Sequence, residues 1–338
     1  MALTVGSWRR ARGMFPAVLL ATGLVGACGA ASQTPASATH TTLRTETVYS
    51  ASPRVGSRLG SRIYRLISAT VSRPVQGVPS DSFAPAWDPD GTELAFFHVT
   101  GDVITLEALH QGGQNARPRV LYTCKGGIDV CTEGMASPPS WSPDGTQIAF
   151  PGPRGLLTIP SSGGSPHKLT HTRDAPGEEE FPGWSPNGNL VVFSRSRATD
   201  TGLWSVSSAG GKLRKLDECG DTCAFAIAPA WSTDGSTIAF SAMAQMKNKS
   251  LRPQVYTWAS DGSSLQQVTD YAFDLPLDFI PDVQWGSASY INFILSMRSS
   301  SGKYVQVLAT IKENGSDLTT IAHLKADAQF FSTRPSPS

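Results

Sequence analysis

The side chains with chemistry to offer are five cysteines and a set of charged residues at matching places along the chain. Cys124 with Cys131, and Cys219 with Cys223, form two close pairs. In an oxidising compartment such pairs become local disulfides. Zinc is the alternative, but neither pair has Cys-x-x-Cys spacing and the six histidines are scattered. His167 and His171 have ligand-like spacing for a helix, yet they fall at the end of a strand pattern. Acidic residues gather in four segments, with Asp129 and Glu133, then Glu178, Glu179 and Glu180, then Glu218 and Asp221, then Asp274 and Asp278. Arg195 and Arg197 stand in the segments between, with Lys247, Lys249 and Arg252 farther on. Charge in this arrangement suits recognition of a charged partner. Catalysis has no linear signature: Gly-x-Ser-x-Gly, His-Glu-x-x-His and Gly-x-x-x-x-Gly-Lys are all missing. No catalytic residue, metal or cofactor is therefore assigned.

A repeat positions these residues. Phe83-Ala-Pro-Ala-Trp87-Asp-Pro-Asp-Gly-Thr-Glu-Leu-Ala-Phe-Phe97 returns around Trp141, Trp184 and Trp231, and in worn form around Trp285. The steps between these tryptophans are 54, 43, 47 and 54 residues, near the roughly 40 to 50 residues of a four-stranded propeller blade. Ser-Pro-Asp-Gly suits a type I turn, because Pro presets φ, Asp bonds back to the backbone and Gly accepts the exit geometry. The runs on either side read as strands, so each copy is a β-hairpin. A second hairpin follows each one, as in Leu203–Val206, Gly210-Gly211 and Arg214–Leu216. Five tryptophans at one repeat position are expected to pack between blades.

Trp141–Phe150 and Trp231–Phe240 resemble the TolB-type, WD-like β-propeller repeat, and the resemblance extends over roughly residues 60–338. It implies an all-β fold and says little about function. Five complete repeats, an extra half at Ile63–Ile67 and Val71–Val75, and the tail Ala328–Phe331 predict six four-stranded blades, the closing one shared between the two ends of the chain. Five blades is the alternative, with residues 60–80 packing across the ring. TolB carries a further domain before its propeller, where this sequence has a Ser/Thr/Ala-rich stretch, so the resemblance does not carry over TolB's own role.

Residues 1–27 read as a secretory signal, with Arg9, Arg10 and Arg12 before an apolar run from Met14 to Val25. Val25-Gly-Ala-Cys28 resembles a bacterial lipobox, which implies lipidation at Cys28; an ordinary signal with an incidental cysteine is the alternative. Residues 28–60 read as a flexible tether and 61–338 as the propeller domain. Without its signal the chain holds 25 basic and 27 acidic residues, a balance that gives no indication of nucleic-acid binding. The expected protein is an exported monomer, lipid-anchored on the outer side of the cytoplasmic membrane.

In a four-stranded meander the first and third turns share one face of the ring, and the second turn and blade-to-blade crossing share the other. The acidic crossings and basic mid-blade loops therefore fall on one face, acidic near the channel mouth and basic farther out. This predicts a non-catalytic module that binds a protein or peptide partner. The alternatives are a small-ligand or glycan binder, or a channel-mouth hydrolase or lyase whose residues come from different blades.

Overall fold

The computed structural model describes residues 46–52 and 60–334, less 114–115, 126–130, 132–134, 136, 171–178, 197–200, 217–222, 246–250, 271–281, 287–288, 299–303 and 326–327. Strands β1 (Thr47–Ala51), β2 (Arg62–Leu66) and β3 (Ser72–Pro74) open the chain. Blade two follows with β4 (Ser82–Trp87), β5 (Glu93–Thr100), β6 (Val103–His110) and β7 (Arg119–Thr123). Blade three has β8 (Ser140–Trp141), β9 (Gln147–Gly152), β10 (Gly155–Pro160) and β11 (His167–Lys168). Blade four has β12 (Glu179–Trp184), β13 (Leu190–Arg195), β14 (Gly202–Ser207) and β15 (Arg214–Lys215). Blade five has β16 (Cys223–Trp231), β17 (Thr237–Gln245), β18 (Leu251–Ala259) and β19 (Leu265–Gln267). Blade six has β20 (Val283–Trp285), β21 (Tyr290–Arg298), β22 (Tyr304–Lys312) and β23 (Thr319–His323), and β24 (Ala328–Thr333) ends the chain. Six four-stranded antiparallel sheets result, and blade one has the order β24-β1-β2-β3. The six-bladed ring with a shared closing blade is the architecture that the repeats predict.

One boundary moves. The expected tether, 28–60, contains β1, whose five residues are all buried and which pairs with both β2 and β24. Tyr49 is fully buried and stacks on Tyr64 at 5.7 Å between centroids. The Ser/Thr/Ala composition around this segment hides a Val-Tyr pair with enough apolar surface to enter the core.

Each tryptophan hairpin is set by its turn. In blade three Ser142 Oγ donates to Asp144 Oδ1 at 2.5 Å and accepts from Gln147 N at 2.9 Å, while Asp144 also caps Thr146 N. Blade five repeats these bonds with Ser232, Asp234, Ser236 and Thr237. Gly145 and Gly235 hold φ of 69° and 74°, the left-handed geometry that glycine adopts without strain. Three of the five repeat indoles then join the blades. Trp141 Nε1 donates to Ala86 O (3.1 Å), Trp184 Nε1 to Ser140 O (3.1 Å) and Trp285 Nε1 to Ala230 O (2.8 Å). Each acceptor immediately precedes the tryptophan of the previous blade, so the repeated Trp fixes blade-to-blade register as well as burying apolar area.

Ring closure relies on side chains of blade six that grip the backbone of β24. Gln306 accepts from Ala328 N (2.7 Å) and donates to Ala328 O (3.2 Å). Gln284 donates to Phe331 O and accepts from Thr333 N, and Asp282 accepts from Phe331 N at 3.2 Å. On the other flank Ser332 Oγ accepts from Trp87 N at 3.0 Å.

Candidate functional site

The first strands of the blades line the central channel, and at one level they share a strained kink. Ala84, Phe181 and Ala228 stand three residues before Trp87, Trp184 and Trp231, with φ of 53°, 55° and 52°. Each precedes a proline, which disfavours compact backbone geometry at the residue before it and makes left-handed φ unusual there. The pairing register shifts at this point in β4, β12 and β16, so the kink is a recurrent β-bulge. Serine hydroxyls of the preceding blade hold two of these amides: Ala84 N donates to Ser50 Oγ at 3.4 Å and Ala228 N to Ser194 Oγ at 3.1 Å. Phe181 N donates to Ser137 Oγ at 2.6 Å.

The bulge in β12 aims Phe181 at the axis. Its ring lies 6.1 Å from that of Phe330 in β24. Blades four and one are opposite in a ring of six, so this contact spans the channel. Phe330 also packs against the core cluster that contains Phe83, Met135 and Trp141. Apolar side chains thus meet across the channel at this level.

Asp282 occupies the same repeat position in blade six. It is buried, accepts Phe331 N, and has its carboxyl pushed up to about 7, chiefly by desolvation. Sequence reasoning missed Asp282. Its signal was a carboxylate three residues before Trp285, where three other blades carry Ala84, Phe181 and Ala228.

No protein-family model matches the sequence, and no curated protein matches it. Solved structures do. The TolB of Acinetobacter baumannii superposes with a TM-score of 0.65 at 15% identity, over 86% of this chain and 67% of that one. A TolB structure from Agrobacterium tumefaciens gives 0.58 at 20% identity, over 87% and 98%. The fold is that of a TolB-type β-propeller. The oligogalacturonate lyase of Vibrio parahaemolyticus shares the architecture at a TM-score of 0.50 and 14% identity, over 80% of this chain and 75% of that one.

Within this TolB-type ring the candidate binding residues separate. Glu179 and Arg195 come together as cross-strand partners on β12 and β13. Arg195 Nε donates to Glu179 Oε1 at 3.1 Å, and Thr170 Oγ1 donates to Glu179 Oε2. The guanidinium lies over Trp204, 4.4 Å from the ring centroid. Both ionic side chains are almost wholly buried, at 6% and 0% exposure. Gly155 leaves room for the pair, because a Cβ there would stand 2.6 Å from Thr170 Oγ1 and 3.2 Å from Glu179 Oε2. The sequence expectation placed Glu179 and Arg195 in separate acidic and basic zones, whereas their charges are directed at each other inside the blade. Glu180, also on β12, is 8% exposed. Asp129, Glu133, Glu178, Asp274, Asp278, Arg197, Cys28 and Cys219 lie outside the described residues.

Cys124 and Cys131 form a disulfide, which staples the crossing from blade two to blade three. Cys223, at the start of β16, is disulfide-bonded as well.

A second buried polar group stands in blade two. His98 Nδ1 lies 3.0 Å from Glu107 Oε1, which also accepts from Thr105 Oγ1 at 2.8 Å. Ser82, the cross-strand partner of His98, has a fully buried hydroxyl with no partner among the described residues. These groups, Glu179–Arg195 and Asp282 belong to blades two, four and six. Among the described residues no group of three or more His, Cys, Asp or Glu side chains is placed to hold a metal ion.

Proposed function

We propose that this protein is a non-catalytic interaction module, exported and lipid-anchored through Cys28, that binds a protein or peptide on the face formed by its blade-to-blade crossings. The observation that carries this reading is where the N-terminal segment joins the ring. Arg334 N donates to Glu46 O, Arg334 pairs with Glu46 at 3.1 Å, and its guanidinium lies 5.5 Å from the Trp87 ring centroid. The chain therefore enters beside the first tryptophan hairpin, on the tight-turn face. Residues 29–45, extended at about 3.4 Å each, reach at most about 60 Å from an anchor at Cys28. Such an anchor joins the ring on the tight-turn face and leaves the crossing face free for a partner. Variable loops on a rigid frame are the usual seat of recognition, and the Phe181–Phe330 contact makes the partner read the surface rather than thread the channel. The disulfide fits an oxidising compartment.

Photo-crosslinking from membranes tests the reading. A photoreactive residue at Asp129 or Glu133 should capture a discrete partner band, while one at Asp144 or Asp234 on the opposite face should not, and Cys28→Ala should release the protein to the soluble fraction. Capture from the opposite face alone would sink it. Asp282 favours a second reading, a small-ligand or glycan binder or a channel-mouth hydrolase or lyase, since a buried carboxyl with a raised pKa is what acid catalysis uses. That reading requires Asp282→Asn to abolish ligand turnover or binding while leaving crosslinking intact.

A further inference from the structure

The strained kinks of β4, β12 and β16 are not held alike. Ala84 N and Ala228 N donate to Ser50 Oγ and Ser194 Oγ, and both serines lie on the second strand of the preceding blade, where pairing on each side fixes them. Ile148 and Val191 are the partners of Trp141 and Trp184, so Pro151 of β9 stands where β13 has Ser194, and proline offers no hydroxyl. Phe181 N donates instead to Ser137 Oγ, at 2.6 Å. Ser137 is fully buried yet belongs to no strand, because the first strand of blade three, β8, is only Ser140–Trp141.

What fixes Ser137 is the disulfide upstream of it. Cys124 extends β7, donating its N–H to Ile104 O at 2.9 Å, and its bond to Cys131 ties the crossing back to that strand. Met135 N donates to Cys131 O at 2.9 Å, which carries the fixed backbone to within two residues of Ser137. Cys124, Cys131 and Met135 are buried in one apolar cluster with Phe83 and Trp141, and Phe330 packs against that same cluster. The crossing thus bears on both rings that meet on the axis, Phe181 through the Ser137 hydroxyl and Phe330 through the cluster.

We propose that closure of the Cys124–Cys131 disulfide is a maturation switch that sets Phe181 in its kink and so forms the contact with Phe330 across the channel. In the closing step the two thiols give up two electrons and two protons to a disulfide-donating oxidoreductase, which leaves as a dithiol. Among the described residues no strand lies between Thr123 and Ser140. Without the covalent link, ordering Ser137 carries a conformational-entropy cost that the disulfide otherwise removes. A non-glycine residue at φ 55° before a proline persists only where its surroundings over-determine it. Loss of the Ser137 acceptor therefore lets Phe181 relax. The kinks of blades two and five are held from strands, so oxidation acts on one wall of the channel and leaves the rest of the ring as it is. Both sulfurs are buried, Cys131 completely, which shields the finished bond from exchange and makes the switch one-way. It requires no partner and stands apart from the interaction-module proposal.

Amide hydrogen exchange followed by NMR on the purified protein tests this at three sites in one sample. In the oxidised wild type the amides of Ala84, Phe181 and Ala228 should all be protected. In Cys124→Ala/Cys131→Ala the Phe181 amide should exchange at least about tenfold faster, while Ala84 and Ala228 keep their protection. Ser137→Ala, which leaves the disulfide in place, should release Phe181 in the same way and keeps the test independent of folding in the cysteine variant. Cys223→Ser, which breaks a different disulfide, should leave Phe181 protected. A Phe181 amide unchanged in either the cysteine variant or Ser137→Ala overturns the proposal. So does equal acceleration of all three amides, or a cysteine variant that does not fold, since either would mean that the bond stabilises the whole ring.

Discussion

Phe181 and Phe330 meet across the axis of the ring, 6.1 Å between centroids, although one belongs to blade four and the other to the closing strand of blade one. Two strands from distant parts of the chain are thereby coupled through the channel. Phe330→Ala should cost about 1–3 kcal/mol, below the range for a fully buried ring because Phe330 is only partly buried. A double-mutant cycle with Phe181→Ala should show about 0.5–1.5 kcal/mol of coupling by urea denaturation. Zero coupling would mean that the rings are neighbours without interacting.

The Glu179–Arg195 pair should behave as a buried ion pair. Glu179→Ala removes a carboxylate partner of the buried guanidinium and should destabilise by about 3–5 kcal/mol. Glu179→Leu/Arg195→Met, which removes both charges, should recover much of that loss in chemical denaturation. A double variant as unstable as the single one would show that the hydrogen bonds matter more than the charge balance.

Asp282 gives stability a dependence on pH. Its carboxyl is raised from the usual 3.8 to about 7 in the folded protein, so the folded state holds the proton more tightly than the unfolded chain. That contribution is complete below the unfolded pKa and is lost as pH rises through about 7. Asp282→Asn keeps an acceptor for Phe331 N and removes the charge. Its melting temperature relative to wild type should therefore rise between pH 5 and pH 8.5, by the equivalent of a few kcal/mol, on the order of the pKa displacement. A pH-independent difference would show that Asp282 is already neutralised by a partner.

Asp88 should respond in the same direction. It stands where three other blades carry Ser142, Ser185 and Ser232, and burial with the neighbouring Asp90 raises its carboxyl to about 6. Glu93 N donates to Asp88 Oδ1 at 2.9 Å, the bond that Gln147 N makes to Ser142 Oγ in blade three. Asp88→Ser should keep that bond and shed the carboxylate. It should stabilise the protein at pH 8 by on the order of 1–2 kcal/mol and by little or nothing below pH 4. A melting-temperature difference that is the same at pH 4 and pH 8 would show that burial does not raise the Asp88 carboxyl.

Much of the blade was legible in the sequence because its determinants are short-range. Trp141, Asp144 and Gly145 specify a hairpin within a few residues, by turn chemistry and period-2 alternation. Repetition of that hairpin specified a ring. Ile63–Ile67, Val71–Val75 and Ala328–Phe331 account for three of the four strands of the closing blade, and the remaining strand went unread. That strand is Thr47–Ala51, and its neighbours' polar composition concealed it.

The sequence by itself thus determined the repeated hairpins, the Trp positions between blades, the cysteine pair at 124 and 131, and six blades in place of five. Tertiary structure decided the rest. Glu179 meets Arg195 because hairpin register makes them cross-strand partners, a match that charge spacing along the chain does not reveal. Phe181 reaches Phe330 only because six blades place the fourth opposite the first. Asp282 lies in the wall beside β24 only because ring closure brings Phe331 N to it. The last two contacts depend on the curvature and closure of the whole ring, which no local stretch of sequence encodes.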